Sequence, residues 1–173
     1  MKISLALLIA GACIATPCLS APERFAADKP TPLKRVKSGQ DDGNAVRFAG
    51  SARLSGQFLI VWERKDDKPL YRQITFFPDA GSAALLPHPV DAGAVTELLF
   101  SNRAQAGAML IDLATVQKAL ARAQISSQGA ATVTIRNYQT VVECDHRWYL
   151  AELVSVVNDK PIVVSAREAH PGC

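Results

Sequence analysis

The chain has 173 residues, with 19 Lys and Arg against 16 Asp and Glu, a net charge of +3 and four cysteines. That length suits one ordinary domain with a continuous core and is too short for two. So small a positive excess carries no electrostatic signature of nucleic-acid binding.

The opening MKISLALLIAGACIATPCLS places Lys2 ahead of an apolar run from Ile3 to Ile9 and closes on Cys18-Leu19-Ser20 before Ala21. This is the pattern of an export signal occupying residues 1–20 and cleaved after Ser20. Gly11 and Pro17 break the run, which falls short of the roughly 20 apolar residues a membrane span needs. Ala10-Gly11-Ala12-Cys13 offers lipidation at Cys13 as the rival processing route. The expectation is a periplasmic or secreted protein with no transmembrane span after cleavage. Removal of the signal leaves 173 − 20 = 153 residues, with a net charge of about +2 because Lys2 is lost.

In the exported chain Cys144 and Cys173 are the remaining cysteines, an even count in an oxidising compartment, and the expectation is a single structural disulfide between them. On chain-entropy grounds such a loop closure contributes about 3–4 kcal/mol. No C-x-x-C arrangement points to thiol chemistry.

Residues 21–44 carry three prolines, several charges and no sustained apolar period, which predicts a flexible or loosely docked arm. Residues 45–173 then form a single β-rich domain ending in a disulfide-tethered tail. Its first segment runs through Gly50 and Gly56 into Phe58-Leu59-Ile60-Val61-Trp62, which predicts a long bent strand or a tight pair. After the polar turn Asp66-Asp67-Lys68-Pro69, residues Leu70, Arg72, Ile74 and Phe76 alternate with Tyr71, Gln73 and Thr75, the pattern of a hairpin partner in an antiparallel sheet. Prolines and glycines punctuate 79–93, and Val95 to Phe100 reads as a third strand.

The period changes at Met109, Leu110, Leu113, Val116 and Leu120, which predicts the one helix of the chain. Asp112 is placed to cap its start, with a start near Asn102 as the alternative, and Gly129 lies beyond its end. Strand character returns over 132–142 and again over 146–157, and Ile162 to Val164 makes a short last strand. Three strands, a helix and two or three strands predict a mainly β fold with one helix, a small antiparallel open β-barrel of OB-like type. An α+β sandwich is the alternative. The barrel reading predicts a strand near Val95 that pairs with the first strand, which the sandwich reading does not require.

The most concentrated polar group, Glu143-Cys144-Asp145-His146-Arg147, lies between two strands, where a tip displays side chains together. Asp145, His146, Arg147 and the adjacent Trp148, with Arg136 and Tyr138, are the binding candidates; a charged hairpin turn is the plainer reading. Asp145 and His146 have the types of an orienting carboxylate and a base, but no nucleophile stands beside them in sequence. Trp62, Tyr71, Phe76, Tyr138, Trp148 and Tyr149 fall in strands, where they fill a core or, exposed on one face, stack on a ligand rimmed by Arg53, Arg72, Arg136 and Arg147. His88, His146 and His170 are far apart in sequence, so neither metal nor cofactor is expected, and His88 reads as decorating a rigid turn. There is no Gly-rich phosphate loop, no HExxH and no GxSxG. The expected function is non-catalytic binding of a protein or cell-envelope component, with an envelope hydrolase or carbohydrate-active enzyme as the alternative. No nucleic-acid partner is expected, and the oligomeric state is open.

Overall fold

A computed structural model describes residues 23–36, 44–65, 68–158 and 162–165. The predicted signal, residues 1–20, lies outside them, as do His170 and Cys173. The elements are β1 (Phe25–Ala26), β2 (Lys34–Arg35), β3 (Ala45–Lys65), β4 (Lys68–Pro78), α1 (Ala80–Ala83), β5 (His88–Pro89), β6 (Leu98–Phe100), α2 (Arg103–Leu110), α3 (Leu113–Ala121), β7 (Ser126–Glu143), β8 (His146–Asn158) and β9 (Val163–Ser165). The protein is mainly β, with a seven-stranded mixed sheet in the order β2-β3-β4-β6-β8-β7-β9, and β7 pairs in addition with β3. Among the described residues no helix is long and apolar enough to cross a membrane.

The apolar run of β3 forms the expected hairpin with β4, with Phe58 opposite Phe76 and Ile60 opposite Ile74. These four side chains are buried, and with Leu54, Trp62, Phe100, Val133, Ile135, Tyr138 and Leu153 they belong to one continuous core. Two of the predictions on topology are overturned. The strand near Val95 is β6, and it pairs with β4 and β8 rather than with the first strand of the body. Its pairing with β8 is parallel, so the sheet is mixed and not antiparallel. A parallel pair needs a crossover connection, and α2, α3 and β7 supply it.

The single predicted helix is two. Ile111 adopts extended backbone (φ −144°, ψ 135°) between α2 and α3, which sinks its side chain to 1% exposure. Asp112 then caps α3, accepting the Thr115 N–H at 2.8 Å and the Thr115 hydroxyl at 2.6 Å. The helical stretch ends at Ala121 with Ala123 in the left-handed region (φ 53°), and Gly129 lies inside β7. A short first helix, α1, is capped by Asp79, which accepts the Ser82 N–H at 2.7 Å.

Residues 23–36, expected to be flexible or loosely docked, lie along the body. Phe25–Ala26 pairs with His88–Pro89, and Lys34–Arg35 pairs with Phe48–Ala49. Leu33 is 2% exposed and belongs to the core. Gly50 makes this docking possible: its φ is +107°, and a Cβ there would stand 2.5 Å from the Pro32 carbonyl oxygen. Phe25 packs edge-on against Phe48, with the guanidinium carbons of Arg35 and Arg147 at 5.4 and 5.7 Å from its ring centre. His88 is buried under β1, its Nδ1 3.1 Å from the Leu86 carbonyl, so it does not decorate an exposed turn.

No disulfide is seen among the described residues. Cys144 is exposed and free, and its expected partner Cys173 lies outside them. β9 pairs with Ser126–Gln128, at the end of β7 remote from Cys144.

Candidate functional site

The β7–β8 connection is a two-residue turn at Cys144 and Asp145, both with positive φ (47° and 64°), a conformation that matches the twist of the flanking strands. Glu143 and His146 face each other across it. His146 and Arg147 are consecutive residues of an extended strand and therefore point to opposite faces. Asp145, His146 and Arg147 accordingly do not converge. Arg147 turns to the docked segment and donates to Glu23 Oε1 at 2.6 Å. His146 shares a face with Trp148, their ring centres 4.1 Å apart.

Tyr138 is not available to a ligand: it is fully buried and donates its hydroxyl to the Pro87 carbonyl at 2.8 Å. The reason is local. Asn137 takes φ 51° in a register shift between Arg136 and Gln139, and this bulge turns Tyr138 inward while leaving Arg136 outside. There Arg136 Nε donates to Glu152 Oε2 at 2.8 Å. Arg136 and then Asn137, by their hydrogen bonds, hold the Glu152 carboxyl below its ordinary value, so it presents a fixed anion.

Of the six strand aromatics, Trp62, Phe76 and Tyr138 fill the core. Tyr71 is half-buried beneath Gly107 of α2, and Tyr149 stacks on Tyr138 at 6.4 Å. Trp148 alone of the six lies on the outer face. Cross-strand pairing puts Trp148 beside Val141, and Leu150 beside both Gln139 and Leu99, so these residues form one apolar patch across β7, β8 and β6. A depression of about 470 Å³ follows it, lined by Leu99, Trp148 and Leu150 on one side and Gln73 and Arg103 on the other. A second, of about 280 Å³, shares Leu99, Trp148 and Leu150 and extends to Gln139, Val141 and Glu143. A third, of about 550 Å³, shares Arg72 and Arg103 and continues to Leu70 and Tyr71. A fourth, of about 360 Å³, joins through Ser101 and Gln139 and reaches Glu152 and Asn137. The four depressions are neighbours that share lining residues, and Trp148 lines two of them; together they are called the groove.

Two arginines in or beside it are paired with carboxylates, and Arg103 bonds a carbonyl and keeps its charge. Arg72 Nε lies 3.4 Å from Glu63 Oε2, Arg136 is held by Glu152, and Arg103 Nη1 donates to the Arg72 carbonyl at 3.0 Å. Arg53 is exposed on β3 and lines none of these depressions. Among the described residues no group of three His, Cys, Asp or Glu is placed to hold a metal ion.

Sequence reasoning selects Trp148, Tyr71 and Arg72, places Arg136 beside the site through Glu152, and misses Gln73, Leu99, Arg103, Gln139, Val141 and Leu150. One signal was present: β8 carries apolar residues on both parities, Trp148 and Leu150 as well as Ala151 and Leu153. A strand with a plain wet face lacks this pattern.

The three tyrosines of the chain share an electrostatic consequence. Burial raises all of their pKa values above 10, with Asp112 adding to the effect at Tyr71 and Tyr138 raised furthest. A folded-state pKa above the unfolded one favours the neutral phenol, so the associated stability is complete below pH 10 and is lost as pH rises beyond it. The expected titration shows less phenolate absorbance at pH 10 than three free phenols give, with the Tyr138 contribution appearing last and together with loss of near-UV circular dichroism. A normal titration of the Tyr138 phenol in the folded protein, identified by comparison with Tyr138→Phe, refutes its buried placement.

The fold defines a mainly β protein with a set of adjoining lateral depressions around Trp148. Comparison with protein-family models, with curated proteins and with solved structures finds no match to the chain.

Proposed function

We propose that this chain is an exported, non-catalytic binding module of OB-like architecture that holds an extended envelope component in the Trp148 groove. Five strands support the architectural reading. β3 pairs with β4, β4 with β6, β6 with β8, β8 with β7, and β7 with β3 again, while the helices α2 and α3 intervene between β6 and β7. A helix between the third and fourth strands of a five-stranded cycle is the OB arrangement, and in that fold the face of the second and third strands and the adjoining hairpin loops bind extended chains. Here those strands are β4 and β6, and the fourth–fifth loop is the Cys144–Asp145 turn. Export rests on the charged, apolar and small-residue order of residues 1–20, and places the module in the periplasm or beyond.

The observation that carries the binding reading is the groove itself: an apolar, aromatic centre with a rim of amides and paired charges, the composition of a recognition surface. A photo-crosslinking residue at Val141, inside the groove, tests it in cells against the same residue at Arg53 on β3. The expected result is a discrete, competable adduct from position 141 that disappears when Trp148→Ala is added, with none from position 53. Identical adducts from both positions, or none from either, overturn the proposal. Turnover of the captured component by the purified protein supports the hydrolase alternative instead.

A further inference from the structure

Resting on the binding reading above, we propose that the occupant of the groove is a linear glycan chain bearing N-acetyl groups. Neighbouring depressions share Arg72 and Arg103, then Leu99, Trp148 and Leu150, then Gln139, an arrangement that suits a long, narrow ligand able to contact more than one of them. Trp148 lines two of these depressions, where an indole offers a flat apolar surface for the C–H face of a pyranose ring. Gln139 carries a donor and an acceptor on one planar group, and Gln73 and Asn137, which already bond Thr75 Oγ1 and Glu152, each keep an acceptor oxygen and a second N–H. That is the complement of vicinal hydroxyls and of an acetamido group, which are themselves donor and acceptor together. The Glu152 carboxylate, kept ionised by Arg136 and Asn137, adds a fixed acceptor for hydroxyls.

Two competing ligand classes fit less well. A nucleic acid needs several cations free to neutralise its phosphates, whereas Arg72 and Arg136 are already matched by Glu63 and Glu152, and Glu143 adds a carboxylate against the charge of Arg103. A peptide entering as an added strand needs an open backbone edge. β6, at the groove floor, is paired on one side with β4 and on the other with β8, and the Arg72 carbonyl of β4 is occupied by Arg103. At β6, therefore, recognition falls to side chains and not to backbone.

Calorimetric titration of the exported chain with the linear hexamer of N-acetylglucosamine tests this, with cellohexaose, a single-stranded oligothymidylate and an acidic peptide in parallel. Saturable binding of the N-acetylated hexamer is expected, weakened at least about tenfold by Trp148→Ala, a loss of roughly 1.4 kcal/mol. Trp148→Phe, which keeps a flat ring, is expected to bind within about threefold of the parent. Gln139→Ala, at the rim, is expected to weaken binding severalfold with the thermal midpoint unchanged, which guards against a misfolded Trp148→Ala. Absence of saturable binding, equal affinity for cellohexaose, or preference for the oligothymidylate or the peptide overturns the glycan assignment. A protein adduct from position 141 in cells, without hexamer binding, leaves the binding module standing and removes only its glycan ligand.

Discussion

A Trp62→Ala variant is expected to lose about 4–5 kcal/mol of stability, the upper range for truncating a buried aromatic, out of a total of roughly 5–15 kcal/mol for a domain of this kind. Trp62 is 1% exposed and sits near the end of the longest strand. Its ring N–H donates to the Gln124 carbonyl at 3.0 Å, and its backbone N–H donates to the Ile125 carbonyl at 2.9 Å. The residue thus fastens the end of β3 to the link between α3 and β7. Alanine leaves a cavity where the indole stood and an unpaired carbonyl at Gln124. Urea unfolding measures the loss as a lower midpoint at unchanged slope. Trp62→Phe keeps most of the apolar volume and removes only the ring N–H, so about 1–2 kcal/mol is expected from it. A loss below about 2 kcal/mol for Trp62→Ala contradicts a closely packed indole at this site.

Gly56→Ala is the second large effect. An added Cβ would stand 2.2 Å from the Phe77 carbonyl oxygen and 2.9 Å from both the Pro78 Cα and the Phe76 ring. Two of those contacts are backbone and cannot swing aside. Gly56 lies where β3 is paired on both sides, opposite Pro78 of β4 and opposite Ala131 of β7, so the methyl group can be accommodated only by moving β4 away. The expected cost is about 3 kcal/mol, or roughly a 10 °C fall in thermal midpoint for a chain of this length. Because β4 also supplies Arg72 and Gln73 to the groove, the variant is expected to give a weaker adduct from position 141 at a temperature where it remains folded. A thermal midpoint within about 2 °C of the parent is incompatible with the close approach of β3 and β4.

Much of the strand layout is legible because it is written in local periods. Gln73 to Phe76 alternates polar and apolar, Phe58 to Trp62 is apolar enough for a strand covered on both faces, and Asp112 is a helix cap recognisable by type, whereas the cap at Asp79 reads in sequence only as the end of a strand. The groove is less legible. Trp148 was singled out as an aromatic on a strand, but nothing local distinguishes it from Trp62, which is buried. Arg147 and Tyr138 were grouped with it by proximity in sequence, whereas strand alternation and the Asn137 bulge send them elsewhere. Leu99, Gln139 and Leu150 meet only because β6 and β7 flank β8, a pairing between residues about 40 to 50 positions apart for Leu99.

By itself the sequence determined the predominance of strands and the helical stretch before β7, since each depends on composition or on the spacing of neighbours. Tertiary structure alone decided that the helical stretch breaks at Ile111, that β6 runs parallel to β8, that residues 23–36 pack on the body and that Trp148 faces outward. The physical reason is common to all four. Burying Ile111 and Leu33, closing the β3–β7 pairing and seating Tyr138 inside are gains made between distant segments, and a one-residue bulge, small in sequence, reverses which side chains meet the core and which meet solvent.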